Sequence, residues 1–267
     1  MSALLEIQGA TKAFRGLVAV SDVSLSVERG EVCSVIGPNG AGKTTLFNLI
    51  SGVLRPTSGR IVFDGKDMGR VPSHRFAAHG IGRTFQNLAL FKHATVVENL
   101  LVGCHTSLRS GVFAGAVFFG RARREEIAAR EQVEEIVEFL EIEELREKVV
   151  GTLSYGQQKR VELGRALACR PKLLLLDEMV SGMNQEETED IARFILDIRD
   201  DYGISVLMIE HNMRIVMDIS DRVHVLHFGQ KIAEGAPAEI GRDDTVAAAY
   251  LGPATAKHPR RLADANR

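Results

Sequence analysis

Cysteine is scarce in this chain of 267 residues: there are three, Cys33, Cys104 and Cys169. They lie far apart, are odd in number and form no pair at metal-ligand spacing. No disulfide framework is expected, and a reducing cytosol is the predicted compartment. Long hydrophobic runs are missing as well. The most apolar stretch, Val112 to Phe119, is interrupted by Gly115 and falls far short of the roughly 20 residues a membrane helix needs. The start, Met1-Ser2-Ala3-Leu4-Leu5-Glu6, has neither the basic opening nor the apolar run of a secretory signal. Any membrane association is therefore expected to come through a partner. Net charge is small too, −2 from 33 Lys+Arg against 35 Asp+Glu, which gives no reason to expect a nucleic-acid partner.

What the chain does have is apolar periodicity. At 45% hydrophobic and 25% charged residues, it has the composition of a globular protein with a sizeable core. Leu4 to Gln8 and Ser24 to Val27 read as strands, and Val32 to Ile36 as a more buried one. A helix is expected from Thr45 to about Ser51, and helical character from near residue 87. Glu125 to Leu140 predicts a helix with Val133, Ile136, Val137 and Leu140 at i, i+3, i+4 and i+7. Leu173 to Leu176 is continuously apolar, Ile191, Phe194, Ile195 and Ile198 mark one face of a further helix, and Ile204 to Ile209 reads as another strand. Apolar strands alternating with helices predict an α/β fold whose mostly parallel sheet is covered on both faces. One domain is expected over 1–252, its α/β core interrupted by a helical insertion at about 87–153, with a polar, frayed tail over 253–267.

The strand Val32 to Ile36 runs into Gly37-Pro38-Asn39-Gly40-Ala41-Gly42-Lys43-Thr44-Thr45, which contains the pattern G-x-x-x-x-G-K-[ST] ahead of a predicted helix. Glycines at this spacing let the backbone turn sharply, so that successive N–H groups face phosphate oxygens. Lys43 can neutralise the outer phosphates, the Thr44 hydroxyl can ligate Mg²⁺, and the helix start adds its positive end. Such a loop serves kinases, GTPases and ATPases alike. The second half of the chain separates them. Leu173-Leu174-Leu175-Leu176-Asp177-Glu178 is an apolar strand ending in two acids, and a parallel strand delivers such residues to the carboxyl edge of its sheet, where ligands bind. Asp177 is expected to hold Mg²⁺, and Glu178 to orient and polarise an attacking water.

Four more motifs complete the set. The segment Leu153-Ser154-Tyr155-Gly156-Gln157-Gln158 resembles the signature motif of the ABC transporter ATP-binding subunits. Gln86, within Arg83-Thr84-Phe85-Gln86-Asn87, is similar to that family's Q-loop. His211, within Ile209-Glu210-His211-Asn212, resembles its switch histidine, and Phe14 stands where the family sets an aromatic side chain against adenine. The resemblance covers about residues 4 to 252. It implies a P-loop NTPase core of the ABC ATPase type, with an N-terminal antiparallel β subdomain and an inserted helical subdomain. It also implies ATP and Mg²⁺ as cofactors, with Gln86 near the metal and His211 at the γ-phosphate. Ser154, Gly156 and Gln157, at a helix start, would serve the ATP of a second ATPase subunit, identical or different, in a head-to-tail dimer. The remaining implied partners are two transmembrane permease subunits and, indirectly, a periplasmic solute-binding protein, on the cytoplasmic face of the inner membrane.

Three positions depart from the family pattern. Tyr155 stands where many members have glycine, Met179 where proline is usual, and Asn184 in place of an aspartate. None removes Lys43, Asp177, Glu178 or His211, so an active ATPase is expected. Tyr155, the long stretch from Gly103 to Arg124 and the ending Ala249-Tyr250-Leu251-Gly252 are similar to branched-chain (hydrophobic) amino acid importers. The rival within the superfamily is the lipopolysaccharide-export ATPase, for which residues 104–124 are longer than needed. A ribosome- or DNA-acting ABC protein is the more distant alternative, and the chain lacks the second cassette or long coiled coil such proteins carry. A nucleotide-binding regulator without turnover is disfavoured by Glu178 and His211. Leu88, Leu90 and Phe91, just past Gln86, are expected to form a groove for the permease, the alternative being that they fold into the insertion's own core.

Overall fold

The computed structural model describes residues 3–84, 88–106 and 121–251. Two sheets carry the fold. An antiparallel sheet in the order β2-β1-β4-β5 is built from β1 (Leu5–Phe14), β2 (Leu17–Val27), β4 (Ser58–Phe63) and β5 (Lys66–Asp67). A six-stranded sheet in the order β10-β9-β3-β8-β7-β6 is built from β3 (Val32–Ile36), β6 (Ile81–Arg83), β7 (Leu173–Asp177), β8 (Ser205–Ile209), β9 (Arg222–His227) and β10 (Gln230–Gly235). Within it β9, β3, β8, β7 and β6 run parallel, and only β10 is antiparallel to its neighbour.

Side-chain alternation explains why the central strands carry apolar residues on both faces. Leu173 and Leu175 of β7 face one core cluster, while Leu174 and Leu176 face the other. The first cluster lies against α1 (Lys43–Ile50) and the antiparallel sheet, through Leu46, Phe47, Leu5, Ile7 and Phe63. The second takes the helices α2 (Val96–Gly103), α3 (Arg121–Phe139), α4 (Tyr155–Ala168), α5 (Gln185–Asp200) and α6 (Met213–Ile219). A strand buried on both faces has no polar side to show, and its sequence reads accordingly. The predicted faces are the buried ones: Val133, Ile136 and Val137 on α3 with Leu140 just past its end, and Ile191, Phe194, Ile195 and Ile198 on α5.

Some boundaries differ from those the sequence suggests. β1 and β2 extend toward each other as a hairpin ending Phe14↔Leu17, because cross-strand pairing with register shifts carries the strands past the regular alternation. The first described helix after β6 opens at Val96 rather than near residue 87, where Thr95 and Glu98 form a reciprocal capping box. α7 (Pro237–Ile240) and α8 (Asp244–Leu251) close the described chain. The expected tail and the run Val112 to Phe119 lie outside the described residues. Among the described residues no helix is long and apolar enough to cross a membrane.

Candidate nucleotide site

Parallel strands share one carboxyl edge, so the segments that follow β3, β7, β8 and β9 converge there. Gly37 to Gly42 connects β3 to α1. Gly37 has φ 148°, and a Cβ placed there would sit 2.1 Å from the Leu226 carbonyl oxygen. Gly42, at φ 99°, leaves a Cβ 2.4 Å from the Ala19 carbonyl oxygen. Both positions therefore require glycine, for backbone conformation and for space. The loop borders a cleft of about 490 Å³ lined by Asn39 to Thr45, Glu178, His211, Leu17, Val18 and Phe228.

Lys43 Nζ donates to the carbonyl oxygens of Gly37 at 2.6 Å and Pro38 at 3.1 Å. Burial lowers its pKa, against the pull of the Glu178 and Asp177 carboxylates. Asp177, at the end of β7, is 2% exposed. Arg83 donates to its Oδ2 at 3.1 Å and also reaches Asn48 Oδ1 and Ser51 Oγ on and just past α1. Burial raises the Asp177 pKa and Glu178 adds to the rise, while Arg83 opposes it. One step on, Glu178 turns the chain with φ 51°, and its Oε1 lies 2.8 Å from His211 Nε2. Beneath them Glu210 is 4% exposed. Burial pushes its pKa up to about 7, although the backbone N–H groups of Val180, Met179 and His211 favour its charged form.

The structure gathers Asn39 to Thr45, Glu178 and His211 around one cleft, with Asp177 buried behind Glu178. Ser154, Gly156 and Gln157 lie elsewhere. They begin α4, where Ser154 Oγ accepts from the Gln157 amide at 3.2 Å and Gln157 Oε1 accepts from the Ser154 amide at 3.0 Å. A Cβ on Gly156 would meet the Glu187 carboxylate at 2.2 Å. Phe14 is 42% exposed, with Lys12 Nζ 5.2 Å from its ring centre. The cleft is lined by its hairpin neighbours Leu17 and Val18, not by Phe14. Gln86 lies outside the described residues.

Two of the departures have local explanations. Asn184 caps α5: its Oδ1 accepts from the Glu187 amide at 2.9 Å, and Glu187 Oε2 accepts from the Asn184 amide at 3.1 Å. An aspartate would cap equally well, so the exchange removes a charge and keeps the helix start. Met179 is fully buried in the core. The groove expected from Leu88, Leu90 and Phe91 is corrected in part. Leu90 is 9% exposed and belongs to the core, Leu88 packs against that core, and Phe91 alone of the three stands out, at 57% exposure. Asn99 holds that turn by bonding the Phe91 N–H and C=O, which swings Leu90 inward.

Sequence reasoning missed Arg83, Glu210 and Phe228. Glu210 had a readable signal, a carboxylate directly after a wholly apolar strand. Phe228-Gly229 had one too, as a turn after β9, whereas nothing in the sequence pairs Arg83 with Asp177.

A family model described as ABC transporter matches residues 20–181, and one described as branched-chain amino acid ATP-binding cassette transporter matches residues 230–252. The high-affinity branched-chain amino acid transport ATP-binding protein BraF of Pseudomonas aeruginosa is 44% identical over 94% of this chain and 98% of that protein. LivG of Escherichia coli, of the same description, is 38% identical over the same shares. The lipopolysaccharide export ATP-binding protein LptB of Escherichia coli is 35% identical over 94% and 98%. Among solved structures, the ADP conformation of an ATP-binding cassette of an ABC transporter superposes with a TM-score of 0.82 at 35% identity, covering 94% of this chain and all of that one. With a family model across more than half its length and such relatives across nearly all of it, the chain belongs to the ATP-binding subunits of ABC transporters and is an ATP-hydrolysing cassette.

Proposed function

We propose that the chain binds ATP with Mg²⁺ and powers uptake of branched-chain or other hydrophobic amino acids through partner permeases. The observation that carries the hydrolytic part is the Glu178–His211 pair, 2.8 Å apart, at the rim of the cleft under the phosphate loop. In this reading the N–H groups of Gly40 to Thr45 receive the phosphates and Lys43 exchanges its loop carbonyls for phosphate oxygens. The Thr44 hydroxyl and the Asp177 carboxylate are hard oxygen donors, the class Mg²⁺ prefers, and with Gln86 they would hold it. When bound, the metal would neutralise charge on the phosphates. Glu178 orients a water and accepts its proton, while His211 holds Glu178 in line and contacts the γ-phosphate. Phe14, beside the cleft, offers an aromatic face to adenine.

Ser154, Gly156 and Gln157, outside this cleft, serve the nucleotide of a second ATPase subunit, since a capped helix start favours an anion. Domain limits of 1–252, with the helical insertion at about 87–153, fit this division of labour. The permeases hold the complex at the cytoplasmic face of the membrane, and a periplasmic binding protein delivers the substrate. Uptake is favoured over lipopolysaccharide export by the identity to BraF and by the match of residues 230–252. The test is the transporter reconstituted with its permeases in vesicles. ATP hydrolysis stimulated several-fold by leucine-loaded binding protein is expected; stimulation by lipopolysaccharide instead would overturn the uptake reading.

A further inference from the structure

Glu210 is a buried carboxylate, and among the described residues no lysine, arginine or histidine forms an ion pair with it. Its oxygens face backbone donors. The Val180 N–H donates to Oε1 at 3.1 Å, and the Met179 and His211 N–H groups lie near enough to favour the charged form. A buried carboxyl group is tolerated only when its oxygens are so satisfied. These donors belong to two different segments. Met179 and Val180 follow Glu178, and His211 follows Glu210 itself. The first segment needs holding, because Glu178 has the left-handed φ of 51° that disfavours a residue with a Cβ. A second tether runs from the Glu178 N–H to the Ile209 carbonyl oxygen, 2.9 Å.

We propose that Glu210 is the positioning residue that clamps the turn bearing Glu178 to the turn bearing His211, so that the two side chains meet at the rim of the cleft beside the phosphate loop. The inference rests on the hydrolytic reading of that cleft. Without that acceptor, the Val180 amide loses its anchor on the turn that bears His211. The Glu178 carboxylate then loses its aim, although neither Glu178 nor the phosphate loop has changed.

Glu210→Gln keeps the side-chain size but turns an NH₂ toward backbone donors. In the full chain assembled with its permeases, kcat for ATP hydrolysis is expected to fall about 10-fold or more, while the ATP dissociation constant stays within about 2-fold. The melting temperature should hold as well. An unchanged kcat overturns the proposal. So does a parallel loss of kcat, affinity and melting temperature, which marks a general structural role. Should Glu210→Gln fail to fold, amide hydrogen exchange on the wild-type chain decides. Slow exchange at Met179, Val180 and His211 is expected, and exchange at open-loop rates overturns the clamp. A wild-type complex that does not hydrolyse ATP would count against the functional reading, and the exchange measurement would still report on the clamp.

Discussion

The two edges of the core sheet both bury charge, but they satisfy it differently. At the amino edge the partners are fixed side chains. Arg222, opening β9, donates through Nε to Glu31 Oε1 at 2.9 Å and through Nη2 to Glu31 Oε2 at 2.8 Å, and reaches Glu234 on β10 at 3.2 Å. Asp221 takes the Val32 N–H at 2.8 Å. At the carboxyl edge, apart from the buried Arg83–Asp177 pair, the charged groups lean on loops. Lys43 bonds carbonyls of its own loop, Glu178 touches a histidine, and Glu210 accepts the Val180 N–H. A two-pronged Arg–carboxylate pair is hard to exchange for anything else. A lysine resting on carbonyl oxygens gives them up readily to phosphate. One edge holds the strands together, and the other is built to receive a charged ligand.

This contrast can be broken at the amino edge first. Glu31→Gln removes half of the partly buried pair with Arg222. With Glu31 13% and Arg222 24% exposed, the loss of stability is expected at about 2 kcal/mol, below the cost for a fully enclosed pair. Chemical denaturation measures it. ATP turnover per folded molecule should not change, and a selective loss of turnover would erase the distinction between the edges.

A smaller effect comes from His224, on β9 beside Glu234. It is fully buried, and among the described residues neither ring nitrogen has a hydrogen-bond partner. Burial pushes its pKa down to about 4, against the pull of Glu234, whose Oε2 lies 3.6 Å from Nδ1. The unfolded chain binds a proton at this residue near pH 6.5, and the folded one resists it until about pH 4. Stability therefore falls as pH drops through that window, by about 1 kcal/mol at pH 5.5 from this residue alone. Denaturation midpoints from pH 7 to pH 4.5 should show a flatter acid limb in His224→Leu. An identical limb in both proteins would assign acid sensitivity to another group.

How much of each edge was legible follows from the same contrast. The phosphate loop, Asp177 and Glu178 stand out because the chemistry expected of them needs particular residue types directly after apolar strands, whereas His211 is reached through its resemblance to the family's switch histidine. The α/β class could be read because β3, β7 and β8 are apolar on both faces. Arg83 could not be paired with Asp177, since the two meet only through the β6–β7 pairing of strands 92 residues apart. The Arg222–Glu31–Glu234 group was equally hidden: it joins the starts of β3 and β9 to β10, and charged residues at strand ends look like solvated turns. Phe91 and Leu90 are adjacent and similar in character, and only the Asn99 bonds decide which one turns inward.

The central claim, that the carboxyl edge hydrolyses ATP through Glu178, is tested most directly by Glu178→Gln in the assembled transporter. Single-turnover hydrolysis and ATP binding would be measured on the same preparation. The account predicts ATP binding near the wild-type affinity with hydrolysis slowed at least about 100-fold, and accumulation of an ATP-bound dimer. Turnover of ATP near the wild-type rate would contradict it.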